Sequence, residues 1–314
     1  LAVQDPIFAN TTGLEYIDLV QADGQPLPSN DTLVGGIGND TLVGGAGNDL
    51  ITAGDGMDTI DAGIGDDVVT VEAPEFFFND PNTPIVLNIA GGEGNDTLAF
   101  TRGRVFYDAA GVSGFERLLV DSSEDFPFAT ITNLGGLQEI IVEGGQGGAT
   151  LIGSDNSGAN VTFSTPIGDR FRGFLELSDS TIGNVTGSDG SEAVIVGNGS
   201  FAGDVNLGGG DDFFQINAGS SLFSAITSLD AGGGDNDVLS YVFPDASIND
   251  SLDNVSGFEL LAIGPPNQAG TLSHSFSNVS GFDALVSSTS LLFSSSGQTM
   301  VSASDITLSR GSTG

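Results

Sequence analysis

Five aspartates, Asp31, Asp40, Asp49, Asp58 and Asp67, hold one register across five consecutive nine-residue blocks that run from Pro26 to Thr70. The second to fourth blocks read GGIGNDTLV, GGAGNDLIT and AGDGMDTID; the fifth, AGIGDDVVT, keeps the frame, and the first, PLPSNDTLV, keeps only its second half. Glycine at the first, second and fourth positions permits φ > 0 and leaves carbonyls bare, while the aspartate adds a hard anionic oxygen, so each turn is suited to hold Ca²⁺. The candidate ligands are these five aspartates together with Gly36, Gly38, Gly45, Gly47, Gly54 and Gly56. Covalent and transition-metal chemistry have little to work with. The chain has no cysteine and one histidine, His274, so an H-E-x-x-H zinc motif cannot form, and no G-x-S-x-G nucleophile elbow is present.

The elements that position the aspartates follow from what comes next in each block. Two residues after each aspartate stands a large apolar residue, Leu33, Leu42, Ile51, Ile60 or Val69, which begins a short strand with its side chain inward. This is the G-G-x-G-x-D-x-U-x nonapeptide of a parallel β-solenoid. Two blocks make one coil, so turns of the same parity stack: Asp31, Asp49 and Asp67 line one edge, and Asp40 and Asp58 the other. Ions held between successive turns, each with six to eight oxygens, number about three in this stretch. Without them, carboxylates stacked roughly 4.8 Å apart would repel one another.

A looser copy of the turn recurs in GGEGNDTLA (91–99), GGGDDFFQI (208–216) and GGGDNDVLS (232–240). Asp96 keeps the full pattern and joins the ligand set with Asp212; Asp211, Asp235 and Asp237 fit either ion binding or Asx turns. A second repeat reads VSGFERLLV (112–120), VSGFELLAI (255–263) and VSGFDALV (279–286), with NLGGLQEIIV (133–142) and FRGFLELSD (171–179) as degenerate copies. The spacings Gly114 to Gly136 and Gly257 to Gly281 fit one coil of a wider, three-sided β-helix. Phe115, Phe258 and Phe282 would lie inside it, with Glu116, Glu259 and Asp283 as solvated turn residues. Runs such as VVTVEA (68–73), RLLVD (117–121), EIIVEG (139–144) and DFFQIN (212–217) predict strands of about five residues, and no segment keeps a helical period. The predicted fold is an all-β, right-handed parallel β-solenoid. It has a cap or strand over 1–25, a calcium β-roll over 26–70, and a wider β-helix over 71–314 continuing the same solenoid. Residues 291–314 read as further short strands without a helical cap, leaving strand edges open to another copy.

Charge sets the partners. Forty-two acidic residues face six basic ones, all arginine, for a net charge of -36, which opposes nucleic acid and anionic lipid as partners. With 39% apolar and 15% charged residues, the chain is not a disordered acidic tail. No window approaches the ~18 apolar residues of a membrane helix, so no direct membrane insertion is expected. The first ten residues lack a basic n-region and a long apolar run and read as a mature or trimmed chain. Arg102 with Arg104, and Arg170 with Arg172, share a face if they lie in strands, where they would neutralise nearby carboxylates or bind an acidic sugar.

The aspartate blocks resemble the RTX, or hemolysin-type, calcium-binding repeats of secreted bacterial proteins. Residues 85–308 resemble the passenger region of Gram-negative autotransporter adhesins. Residues 232–263 carry both features of that region in order: a GGxGxDxL-like strand, then N-x-x-G-F-E-x-L. The resemblance implies several bound Ca²⁺ ions, export, and folding outside a Gram-negative cell, either secreted or at its surface. The expected role is a non-enzymatic structural one: a rigid solenoid for surface adhesion or assembly into a layer, matrix or filament, with a second copy or a surface receptor as partner. A polysaccharide lyase or epimerase on the β-helix is the alternative. Ice binding is a further one, ranked low because the row of Thr32, Thr41 and Thr59 is interrupted by Leu50 and Val68.

Overall fold

Alternation of inward apolar and outward polar side chains generates short strands, and the computed structural model of the chain consists of strands joined by turns. It describes residues 7–8, 28–72, 84–102, 104–121, 128–144, 147–165, 173–197, 200–201, 203–217, 226–242, 249–263, 274–277, 282–287 and 291–293. Among these residues there is no helix, and therefore none long and apolar enough to cross a membrane. The chain divides into two units, Leu1–Ala159 and Asn160–Gly314.

In the first unit, every described strand from Thr32 to Ile152 belongs to one of two parallel sheets. One sheet is formed by Thr32–Val34, Leu50–Thr52, Val68–Glu72, Thr97–Arg102, Arg117–Asp121 and Glu139–Glu143, with Ile7–Phe8 paired to its first strand. The other is formed by Thr41–Ala46, Thr59–Ile64, Ile85–Glu93, Arg104–Ser113, Phe128–Thr132 and Gly148–Ile152. The chain alternates between them, so it winds as a parallel β-solenoid, a connection that is right-handed in nearly all proteins. Register stacks like on like. Leu33, Ile51, Val69, Leu98, Leu118 and Ile140 are successive partners across one sheet, all buried.

The second unit repeats this plan. Val161, Val185, Val205, Leu229 and Val255 form one stacked row. Leu175, Val194, Phe214, Leu239 and Leu261 form the opposing one. The predicted third side is present here as paired short strands: Thr181–Ile182 with Ser200–Phe201, and Asn249–Ser251, His274–Ser277 and Leu291–Phe293 with one another. In the first unit the described strands from Thr32 to Ile152 lie in two sheets and Asp155–Asn156 in a third; residues 122–127, within the Gly114 to Gly136 coil, lie outside the described residues. Phe115, Phe258 and Phe282 are buried as expected. Thr32, Leu50, Val68 and Thr97 are register partners, so the threonine row is broken, as expected. Most of 1–25 and all of 294–314 lie outside the described residues.

Because Leu118 is fully buried within a continuous aliphatic row, Leu118→Ala is expected to destabilise the calcium-loaded protein by about 2–5 kcal/mol, read from denaturant unfolding.

Candidate metal centre

In the nonapeptide stretch the aspartates of successive turns reach one coil back. Asp49 Oδ1 accepts the backbone N–H of Asp31 at 2.7 Å, Asp67 Oδ1 that of Asp49 at 2.7 Å, and Asp96 Oδ1 that of Asp67 at 2.8 Å. On the opposite edge Asp58 Oδ1 accepts the N–H of Asp40 at 2.8 Å. The two edges therefore carry the aspartates with the parity that the sequence predicts. The residue before each aspartate laces the coils in the other direction. Asn30, Asn39, Asn48 and Asp66 accept the N–H of Asn48, Met57, Asp66 and Asn95, one coil on. Two neighbouring side chains thus hold each pair of coils by adjacent backbone amides, a role of the Asn position that the nonapeptide alone does not announce.

The glycines divide into two kinds. Gly36, Gly38, Gly45, Gly47, Gly54 and Gly56 all adopt φ between 87° and 151°, a region other residues enter only with strain. The first-position glycines depart from expectation: Gly35, Gly44 and Gly91 are not among the positive-φ residues. Space is their constraint. A methyl on Gly35 would collide with the Ala53 carbonyl oxygen and stand 3.0 Å from Asp40 Oδ2, and one on Gly44 would collide with both the Ala62 carbonyl and Asp49 Oδ2.

The second carboxylate oxygen is what makes the turns chemically unusual. Asp40, Asp49, Asp67, Asp96 and Asp212 are all at most 2% exposed, while Asp31 and Asp58 are half-buried. Oδ2 of Asp67 and of Asp96 is buried without a hydrogen-bond partner. No Lys or Arg precedes Arg102 in the sequence, so no cationic side chain of this chain's first hundred residues neutralises them. Burial pushes the Asp96 carboxyl up to about 6, with the Asp67 and Glu116 charges adding to it. It also raises Asp67 and pushes Asp58 to about 6, where Asp40 adds. A buried anionic oxygen beside bare turn carbonyls fits a hard divalent cation. Among the described residues no three Asp, Glu, His or Cys side chains converge on one point, so such an ion would draw most of its oxygens from backbone. Calcium accepts that donor set and zinc does not. The ion would supply positive charge and coordination only; the residues that would hold it are the aspartates of successive turns with their glycine carbonyls.

Two acidic residues read as solvated turn positions belong to the ladder instead. Glu116 Oε2 accepts the N–H of Asp96 at 2.9 Å, and Glu259 Oε2 that of Asp237 at 2.9 Å. Asp283 is exposed, as predicted. The signal for the glutamates was present in turn length. Gly114 stacks on Gly92, and Gly257 on Gly232, but only two residues separate each upper glycine from its acid, against four from Gly92 to Asp96. A shorter turn needs a longer side chain to reach the same amide. Asp211 and Asp235 are not buried; Asp211 takes the Asn role, accepting the N–H of Asp235 at 3.4 Å. Arg102 and Arg104 fall at the end of one strand and the start of the next, in opposite sheets, so they do not share a face; Arg170 and Arg172 lie outside the described residues. Arg117 pairs with Glu139 at 2.7 Å.

Stacked, glycine-walled acidic turns between the strands of a parallel solenoid define a class: a β-roll whose coils are joined by cations. Residues 34–69 and 88–104 match the family model of the RTX calcium-binding nonapeptide repeat, in four copies. The chain therefore carries RTX repeats, which imply calcium binding. It matches no curated protein and no solved structure, and the resemblance of the later residues to adhesin passengers gains no support from these comparisons.

Asp67→Asn keeps an oxygen for the Asp49 amide but removes the charge. Melting is expected at or above the wild-type temperature in EGTA and below it in saturating calcium, whereas Asp67→Ala falls in both. In the metal-free protein the raised carboxyls bind protons more tightly folded than unfolded, so their stability contribution is complete below about pH 4 and is lost as pH rises through about 6, the value for Asp58 and Asp96. Saturating calcium reverses the trend, because only the deprotonated carboxylates bind the ion. Unfolding midpoints from pH 3.5 to 8, with EGTA and with calcium, check both signs.

Proposed function

We propose that this chain is an extracellular, calcium-stabilised structural solenoid of a Gram-negative bacterium, secreted or surface-bound, serving adhesion or assembly into a layer, matrix or filament rather than catalysis. The observation that carries this reading is the run of buried carboxylate oxygens at Asp67 and Asp96 without hydrogen-bond partners inside matched RTX repeats. Such turns fold well only where calcium is abundant. Extracellular calcium reaches the range of about 10⁻⁴–10⁻³ M at which extracellular modules are tuned, far above the cytosolic level. In the cytosol the same stack would stay metal-free and strained by its own charge; after export it would take up calcium and harden.

The acidic residues support a structural role because those in the turns are engaged in lacing coils together by backbone amides. Net charge of -36 with no lysine makes calcium bridging between two copies the natural lateral contact, and it keeps copies apart when calcium is low.

Circular dichroism and negative-stain electron microscopy of the same samples, from about 50 µM to 10 mM calcium with an EGTA control, test the proposal. Calcium-dependent gain of β structure is expected, with ordered filaments or sheets if assembly is the role and separate particles if adhesion is. Unchanged β structure in EGTA would remove the calcium argument altogether.

A further inference from the structure

The RTX match ends at residue 104, yet the second unit contains a column of acidic turns built on the same plan from different sequence. Glu192 donates its N–H to Asp212 Oδ1 at 2.7 Å, Asp212 to Asp237 Oδ1 at 2.6 Å, and Asp237 to Glu259 Oε2 at 2.9 Å. Two glycine columns accompany it. A methyl on Gly208 would strike the Ser188 carbonyl, one on Gly232 the Gly208 carbonyl, one on Gly210 the Gly190 carbonyl, and one on Gly234 the Gly210 carbonyl. Gly208, Gly210 and Gly232 have φ of 92°, 97° and 86°. Gly208 and Gly210 stand four and two residues before Asp212, the same offsets as Gly36 and Gly38 before Asp40. The next turn inserts one residue between Gly234 and Asp237. That insertion, with a coil of 25 residues between Asp212 and Asp237, breaks the nonapeptide spacing while preserving the stack.

Two independent observations point to a ligand here. Asp212 and Asp237 have no exposed surface; Oδ2 of each is buried with no hydrogen bond donated to it, and the Glu192 and Glu259 carboxylates beside them add negative charge. Asp237 Oδ2 is aimed over Gly234, 2.8 Å from where a side chain would begin. Glu192, one coil earlier and equally buried, shows what a satisfied acid looks like at this position: Ser188 donates its hydroxyl to Oε1 at 2.6 Å. In addition, no Lys or Arg occurs between Arg172 and Arg310, so this stretch of chain offers no charged side-chain partner to the two aspartates.

We propose that the second unit binds calcium between the turns of Asp212 and Asp237, as a second column outside the recognised repeats, closed at one end by Glu192 and at the other by Glu259. The ligands are the two aspartate Oδ2 atoms with backbone oxygens of the 208–212 and 232–237 turns. The cation is a hard divalent one, since no cysteine and no histidine lies near these turns in sequence. The inference shares the calcium chemistry of the first unit but rests on separate residues.

The test uses the full chain as wild type, Asp212→Asn/Asp237→Asn and Asp67→Asn/Asp96→Asn. Bound calcium is counted after equilibrium dialysis, and hydrogen exchange with calcium or EGTA is followed by peptide. Asparagine keeps each amide contact, so the variants retain the ladder. The expected result is loss of at least one ion per chain in Asp212→Asn/Asp237→Asn, with calcium-dependent protection vanishing from 204–242 and persisting in 31–121. Asp67→Asn/Asp96→Asn shows the reverse pattern. An unchanged ion count, or exchange of 204–242 in the wild type that is identical with calcium and EGTA, overturns the inference while leaving calcium binding by the first unit intact. Should the Asp212→Asn/Asp237→Asn chain fail to fold, protection of 204–242 by calcium in Asp67→Asn/Asp96→Asn supports the second column, and its absence there overturns it. No bound ion in any chain would overturn this column and the calcium reading together.

Discussion

One arrangement governs the molecule: a carboxylate placed with one oxygen on the amide of the preceding coil and the other oxygen enclosed by glycine. An ionised carboxylate moved out of water carries a penalty of several kcal/mol even after relaxation, and one amide hydrogen bond returns only about 1.5–3 kcal/mol to a charged acceptor. Repeated at Asp67, Asp96, Asp212 and Asp237, the deficit falls on coils whose strands are short. Either protons or cations must balance it. At neutral pH in calcium-rich surroundings a divalent ion does so for two turns at once, and it joins coils that otherwise share only a few strand hydrogen bonds each.

Much else follows from that constraint. Strands mostly of two to six residues between turns bury few side chains apiece, so register is imposed largely by the turns. The lacing of Asn30, Asn39 and Asn48 forward and Asp49, Asp58 and Asp67 backward fixes each coil on its neighbour to within one residue. A one-residue slip would turn every inward side chain outward. The aliphatic rows through Ile51 and Leu118 then stack without further specification. Folding is expected to be coupled to ion binding, since neither the turn geometry nor the core row is complete without its neighbour.

The sequence displayed this arrangement unevenly, and the reasons are geometric. The strict nonapeptide stretch was legible in full, down to the parity of the edges, because an 18-residue coil leaves no room for insertions. Beyond Val71 coils lengthen, and among the described residues a third side appears only from Asp155 on; spacing between repeats measures coil length, not how many strands the coil contains. Glu116 and Glu259 escaped notice since an exposed glutamate after Gly-Phe is ordinary on a surface. Only the stacking of Gly114 on Gly92 and of Gly257 on Gly232 shows that these turns are shortened relatives of the aspartate turn. The first-position glycines were read for φ when the decisive constraint was the carbonyl of the next coil, which no single sequence displays.

This view changes how the two repeat families relate. The Gly-Phe-Glu turn and the glycine-aspartate turn are not separate motifs interleaved on one scaffold but long and short solutions to one requirement, an acid presented to the amide beneath it. The short form carries a buried phenylalanine, Phe115 or Phe258, where the apolar residues of the long form, Ile37, Met57 and Ile64, are exposed, so it gains apolar burial worth about 1.5–3 kcal/mol. Each form follows the other in the chain, at Asp96 then Glu116 and at Asp237 then Glu259. A calcium column therefore ends on a rung that stays folded without an ion of its own. The coils beyond such a rung bury apolar side chains in place of an ion, and they offer the ion-dependent coils an edge on which to assemble.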